Sequence, residues 1–242
     1  MIAAIPEFLR EFAHQLPIFG LPFLLSWAIV LGVELLIGKR VQGHLRPHIL
    51  RVDQHLRTWA LSKRYKERGN PNSERHLRTW FMRFWTNFAS APSLIVLSLA
   101  VAIWAHAAHV VHPTLWYFPG LCYLGSMSQS YVSKRVIKRM RPRREHGAFG
   151  FKMKDGSFPS GHSLTSFCFW VALAITMALA GLPTIEVVLM GVMAAITIGF
   201  TGFSRVYMGV HFPTDILGGF LMGIIWTLVC VVVLVPALVR GF

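Results

Sequence analysis

The stretch ILGGFLMGIIWTLVCVVVLV, residues 216 to 235, runs without a single charged side chain. About 20 apolar residues span the roughly 30 Å hydrocarbon core of a bilayer, so such a run reads as a membrane-crossing helix. Charged residues make up only 14% of the chain and hydrophobic ones 54%, against roughly 25% charged in an ordinary soluble domain. Hydropathy predicts six spans, at 17–37, 86–110, 114–133, 160–180, 185–204 and 215–238. Inside lipid every backbone polar group must find its partner within the segment, which makes each span a helix. The expected fold class is all-α: a polytopic membrane bundle, one domain over 1–242, with interfacial amphipathic helices.

The first residues, MIAAIPEFLREFAHQLP, have no basic start and no small-residue cleavage site, and read as the approach to an uncleaved anchor. Cys122, Cys168 and Cys230 fall in three separate apolar segments with no ligand spacing. They read as core thiols, with no disulfide framework and no metal site.

Charge is partitioned unevenly. Short turns at HPT, 112–114, and GLPT, 181–184, lie on one face, and the connections 38–85, 134–159 and 205–214 lie on the other. Twelve Lys and Arg fall between Lys39 and Arg83 and nine between Lys134 and Lys154, so 21 of the 24 basic residues share that second face. Such a face gathers anionic lipid head groups or phosphorylated substrates, and nothing in it points to nucleic acid. Within 38–85, Leu45, Ile49, Val52, Leu56 and Trp59 recur at spacings of four and three, interleaved with Arg46, Arg51 and Arg57 and followed by Lys63 and Arg64. That pattern suits a basic amphipathic helix in the interface, or equally a solvated cap over the bundle. KERGNPNSERH interrupts it before a second short helix leads into the next span.

Three polar clusters stand out against this background. In SRVYMGVHFPTD, residues 204–215, His211 and Asp215 are four apart, and Pro213 suits the first turn of the last helix. A carboxylate at that distance fixes an imidazole tautomer and leaves the other nitrogen free as nucleophile or base, with Arg205 beside it to hold an anion. In SFPSGHS, residues 157–163, Ser160 is a candidate N-cap and Gly161 permits close backbone approach to an anion at a helix start. His162, in that first turn, is placed for proton exchange. In KRVIKRMRPRR, residues 134–144, Lys134 and Arg141 are seven apart and share one face of a helix that Pro142 ends. They offer a point charge and a forked donor for phosphate oxygens.

Together these clusters resemble the type 2 phosphatidic acid phosphatase family. Lys134 with Arg141-Pro142, then Pro159-Ser160-Gly161-His162, then Ser204-Arg205 followed by His211 and Asp215 reproduce its three-part signature, K-x6-RP, PSGH and SR-x5-H-x3-D, across 134–218. The resemblance implies hydrolysis of a membrane lipid phosphate or diphosphate through a phosphohistidine, with no metal or other cofactor. It implies His211 as nucleophile, oriented by Asp215, and His162 as the acid that protonates the leaving oxygen and then activates water. Lys134, Arg141, Ser160, the Gly161 amide and Arg205 would hold the phosphoryl oxygens. Undecaprenyl diphosphate, phosphatidic acid and phosphatidylglycerophosphate lead the substrates it suggests. Lipid A hydrolysis or phosphate transfer to another lipid would use the same site, and a non-catalytic lipid-binding or transport role has less behind it. Soluble vanadium-dependent haloperoxidases share the signature, but six spans argue against them.

His106, His109 and His112 recur every three residues but lack a neighbouring carboxylate or cysteine, and read as interface histidines. His146 and Asp155 lie in the loop before the second cluster, within reach of a substrate. The expected location is a bacterial inner membrane. The family orientation puts the site on the periplasmic side, whereas the excess of Lys and Arg assigns the same face to the cytoplasm. The family orientation is the expectation adopted.

Overall fold

The structure, a computed structural model, describes residues 9–10, 13, 20–21, 23–36, 51–59, 77–110, 112–142 and 155–240. Every regular element among them is helical. In chain order these are α1 (Phe23–Leu36), α2 (51–59), α3 (Leu77–Phe88), α4 (Ala91–Ala107), a 3-10 turn (Pro113–Tyr117), α5 (Phe118–Ile137), α6 (Gly161–Leu179), α7 (Thr184–Tyr207) and α8 (Pro213–Arg240). Leu45, Arg46, Ile49, Lys63 and Arg64 of the expected interfacial helix, and His146, lie outside the described residues.

Helix α6 is the hub, packed against α5, α7 and α8, while α3 lies along α7. Its two sides carry separate cores. On one, Leu164, Cys168 and Ala172 meet Phe118 and Cys122 of α5 and Trp226 and Cys230 of α8. On the other, Phe169, Trp170 and Leu173 meet Leu94 of α4 and Ala194 and Ile198 of α7. All three cysteines are free and buried in the first core, as expected of core thiols.

Among the described residues three helices, α6, α7 and α8, are long and apolar enough to cross a membrane, and the bent pair α3–α4 adds a fourth if counted as one span. Helix α4 lies within the expected span 86–110, and α3, most of which precedes that span, meets it at 53°. Pro92 sits in the first turn of α4, where its missing N–H has no intrahelical role. Helix α7 turns Ile185, Val188, Leu189, Val192 and Ile196 outward, the apolar surface a lipid-facing helix presents. Helix α5 is built the other way round. It buries Ser126, Gln129, Ser130 and Ser133 and exposes Leu124, Met127 and Tyr131, so its composition is too polar to count as a span although it lies inside the bundle. Helix α1 is apolar but short within the described residues.

Helices α5 and α8 meet closely at Gly125 and Trp226. A Cβ built on Gly125 would lie 2.2 Å from the Trp226 ring, whose indole Nε1 donates to the Cys122 carbonyl at 2.9 Å. Overpacking of a filled core costs about 1–3 kcal/mol or more. Gly125→Ala should accordingly lower the unfolding midpoint of the detergent-solubilised protein in a thermal melt, whereas Gly199→Ala, which meets nothing within 4 Å, should leave it in place.

Candidate active site

One end of the bundle collects the C-termini of α5 and α7 and the N-termini of α6 and α8. Backbone bonds lace these ends together: Ser160 N–H donates to the Asp215 carbonyl at 3.0 Å and Ser157 N–H to that of Arg139 at 2.8 Å. The eight residues expected at the site all belong to these four ends or their connections.

Helix α8 begins at Pro213, as its sequence suggests. Asp215 N–H donates to the Phe212 carbonyl at 3.0 Å, and Phe212 N–H returns a bond to Asp215 Oδ2 at 2.9 Å. This reciprocal cap fixes the aspartate at the helix start. His211 lies just outside the helix, 2% exposed, with Nδ1 3.4 Å from Asp215 Oδ2. That is a long contact rather than a formed hydrogen bond. Its Nε2 lies 3.3 Å from Arg141 Nη1. An arginine can only donate, so Nε2 is the unprotonated nitrogen and Nδ1 carries the hydrogen facing Asp215. The ring is thus a neutral imidazole with its lone pair turned toward the cations.

Arg141 reaches the site from an unexpected backbone. Helix α5 ends at Ile137, and Lys138 adopts a left-handed φ of 50°. The helix therefore stops before Pro142, and Arg141 comes from a non-helical segment, not from the face that carries Lys134. The two cations still converge, through Asp155. Lys134 Nζ is 3.2 Å from Asp155 Oδ2, and Arg141 Nη2 is 3.0 Å from Asp155 Oδ1. Partial burial opposes ionisation of Asp155, but Lys134 and Arg141 outweigh it and hold the carboxyl below its ordinary range. An open pocket of about 710 Å³ borders this cluster, lined by Lys134, Lys138, Arg139, Arg141, Asp155 and Gly156.

Ser160 occupies the N-cap position of α6 but does not cap it. Its Oγ instead accepts a bond from Ser163 Oγ at 3.0 Å. A Cβ on Gly161 would lie 2.9 Å from Ser130 Oγ and 3.4 Å from Lys134 Nζ, so the glycine lets the ammonium pass against the helix start. His162 follows, within the electrostatic field of Arg205, His211, Lys134 and Arg141. Arg205, near the end of α7, is 5% exposed. Its Nε has no hydrogen-bond partner, and among the described residues no carboxylate pairs with it. The preceding Ser204 faces away, bonded to Thr86 Oγ1 of α3 at 2.8 Å, which holds this end of α7 in place.

Two residues at this site were not singled out in the sequence. Arg139 Nη1 donates to Asp215 Oδ1 at 2.6 Å and to Thr214 Oγ1 at 2.9 Å, while its Nη2 binds Asp53 Oδ2. Asp53, from α2, is fully buried and accepts from Thr214 N at 2.9 Å and Thr214 Oγ1 at 2.6 Å. One signal was available: Asp53 interrupts the stripe formed by Ile49, Val52 and Leu56, an acidic residue where an amphipathic helix should be apolar. His106 is buried and bonds Tyr117 OH through Nε2 at 3.1 Å, and no metal-ligating cluster occurs among the described residues.

A model of the PAP2 superfamily matches residues 115–237, just over half of the chain. The chain is 39% identical over 101 residues to phosphatidylglycerophosphatase B of Bacillus subtilis, covering 39% of this chain and 45% of that one. It is 36% identical over 107 residues to a lipid A 1-phosphatase of Rhizobium johnstonii, covering 41% and 40%. The chain thus spans less than half the length of these two relatives. It is also 27% identical over 146 residues to the undecaprenyl-diphosphatase BcrC of Bacillus subtilis, covering 60% and 68%. Among solved structures, a transmembrane PAP2 type phosphatidylglycerolphosphate phosphatase from Bacillus subtilis aligns with a TM-score of 0.65 at 22% identity, over 85% of this chain and 94% of that one. That likeness is one of fold.

Burial pushes the His211 pKa down to about 4, against the pull of Asp215. The unfolded ring titrates near its ordinary value of about 6.5, so between the two values the unfolded chain binds the extra proton. The stability contributed by keeping this ring neutral is complete above pH 6.5 and is lost as the pH falls toward 4, an effect on the order of 3 kcal/mol. Melting of the purified protein should therefore shift to lower temperature between pH 7 and 5, and His211→Gln should flatten part of that dependence.

Proposed function

The chain belongs to the PAP2 superfamily, and from that premise we propose that it hydrolyses the terminal phosphate of a membrane lipid through a phosphohistidine formed on His211. One observation carries the reading: a buried arginine, Arg205, has no carboxylate partner among the described residues. A guanidinium in that position is completed by an anion from outside the chain, and it lies within the electrostatic reach of Arg141, whose Nη1 touches the lone-pair nitrogen of His211.

In the first step Nε2 of His211 attacks phosphorus in line with the ester or anhydride oxygen. The N–P bond forms as the P–O bond breaks, and His162 gives its proton to the departing oxygen. Asp215 steadies the positive charge that develops on the ring through Nδ1–H, a contact now at 3.4 Å of the kind that tightens only along the reaction. In the second step His162 takes a proton from water, whose oxygen attacks phosphorus. The N–P bond breaks and inorganic phosphate leaves. Phosphoryl transfer asks chiefly for in-line positioning and for neutralised charge on the equatorial oxygens. Lys134, Arg141 and Arg205, with Ser160 and the free amide of Gly161 at the start of α6, supply that. Asp155 now pairs with two of the three cations, so an incoming phosphate displaces a carboxylate from them.

Helices α1 and α5 complete six crossings with the α3–α4 pair, α6, α7 and α8. The site then lies at the membrane surface of the bundle, on the periplasmic side of a bacterial inner membrane, where a lipid can present its phosphate and leave its chains in the bilayer. The basic segment 38–85 meets anionic lipid on that face. Relatives are named for phosphatidylglycerophosphate, lipid A and undecaprenyl diphosphate alike, and of these we place glycerophospholipid phosphates and undecaprenyl diphosphate first.

Phosphate release from these lipids should persist in EDTA. His211→Ala should abolish it, a loss of at least about 10⁴-fold by analogy with other covalent nucleophiles, while Asp215→Asn should lower kcat and leave KM nearly unchanged. Release assays on detergent-purified protein check all three. Wild-type turnover by His211→Ala would overturn the reading.

A further inference from the structure

Helix α2 buries one side chain fully, and that side chain is a carboxylate. Along 51–59 every residue but Asp53 keeps some exposure, and Val52, Leu56 and Trp59 are 52%, 43% and 55% exposed. A charge leaves water only when partners replace its hydration. Asp53 finds Arg139 and both donors of Thr214, and each partner adjoins the His211–Asp215 pair.

Thr214 is the second residue of α8, where a first-turn amide needs an acceptor from outside the helix. Phe212, the residue that precedes the helix, has no side-chain oxygen to supply it. Asp53 supplies it from across the fold, doing for α8 what a local Asp or Ser N-cap would do. Arg139 is shared between two carboxylates. Nη1 holds Asp215 Oδ1 at 2.6 Å, Nη2 holds Asp53, and the guanidinium carbon lies 4.8 Å from the centre of the Phe212 ring. Only Oδ2 of Asp215 is left for the Phe212 amide and for His211.

We infer that Asp53 and Arg139 are positioning residues for the His211–Asp215 pair, and that Asp53 keeps Arg139 from closing on both oxygens of Asp215. An arginine fork facing a lone carboxylate closes on it bidentately. Anchored by Asp53, this one engages Oδ1 alone and leaves Oδ2 to the nucleophile. Helix α2 is then part of the reaction centre as well as part of the basic face. The inference rests on His211 being the nucleophile.

Among the described residues the hydrogen bonds of Asp53 and Arg139 go to each other, to Thr214 and to Asp215 rather than to Lys134, Arg141 or Arg205, so the effect belongs on turnover. Asp53→Asn and Arg139→Gln should each lower kcat by about 10- to 100-fold, the range found for the outer partners of metal-bound histidines, with KM changed less than about threefold. The double variant should be no slower than the slower single, because both act through one carboxylate. The ring resonances of His211, recorded by NMR without substrate, should move in both single variants. Should Asp53→Asn fail to accumulate as folded protein, Arg139→Gln tests the same claim from the other side. Unchanged kcat together with unmoved His211 resonances, a rise in KM alone, or additive losses in the double variant would overturn the inference. A wild-type protein inert toward every lipid phosphate would instead overturn the phosphatase reading, and the His211 resonances would still decide whether Asp53 and Arg139 act on the ring.

Discussion

The carboxylate of Asp215, withdrawn entirely from solvent, is the point on which this end of the molecule depends. A buried carboxylate must be surrounded by donors, and here the donors are Arg139 and the Phe212 amide, with the His211 ring in a longer contact. Satisfying it draws together the break after α5, the start of α8 and, through Arg139, helix α2. The Asp215 carbonyl in turn receives the Ser160 amide, which sets the start of α6 against the start of α8. One residue thus joins three of the four helix ends that make the site.

The same linkage bears on the uneven charge. Asp53 binds Thr214 and Arg139, so α2, in the middle of the basic segment, sits at the same end of the bundle as the candidate site. Most of the segment's Lys and Arg lie outside the described residues. A positive face of this kind concentrates anions whichever compartment it meets. On the phosphatase reading proposed above, part of that charge is the requirement of a phosphate site, which weakens it as a reporter of sidedness under a rule that counts loop Lys and Arg.

Much of this was legible in the sequence because the chemistry is written in short, local spacings. His211 and Asp215, Pro213 at the head of α8 and the PSGH turn at the head of α6 each depend on neighbours within a few residues. The uninterrupted apolar runs of α6, α7 and α8 were equally plain. Three features were not legible. Lys134 and Arg141 look like one helical face, but Lys138 turns left-handed between them, and only tertiary bonds such as Arg141 Nη1 to the Val210 carbonyl at 3.1 Å bring the guanidinium back. Helix α5 buries its polar side, Ser126, Gln129, Ser130 and Ser133, which defeats a reading that equates polar with exposed. Asp53 and Arg139 pair across 86 positions, and no periodicity encodes a contact of that range.

The most direct test of the account is to quench the wild-type protein during turnover of a ³²P-labelled lipid phosphate and map the labelled residue by mass spectrometry. The account predicts an acid-labile, alkali-stable phosphate on His211. A label on any other side chain, or steady turnover with no phosphoenzyme at any quench time, would contradict it.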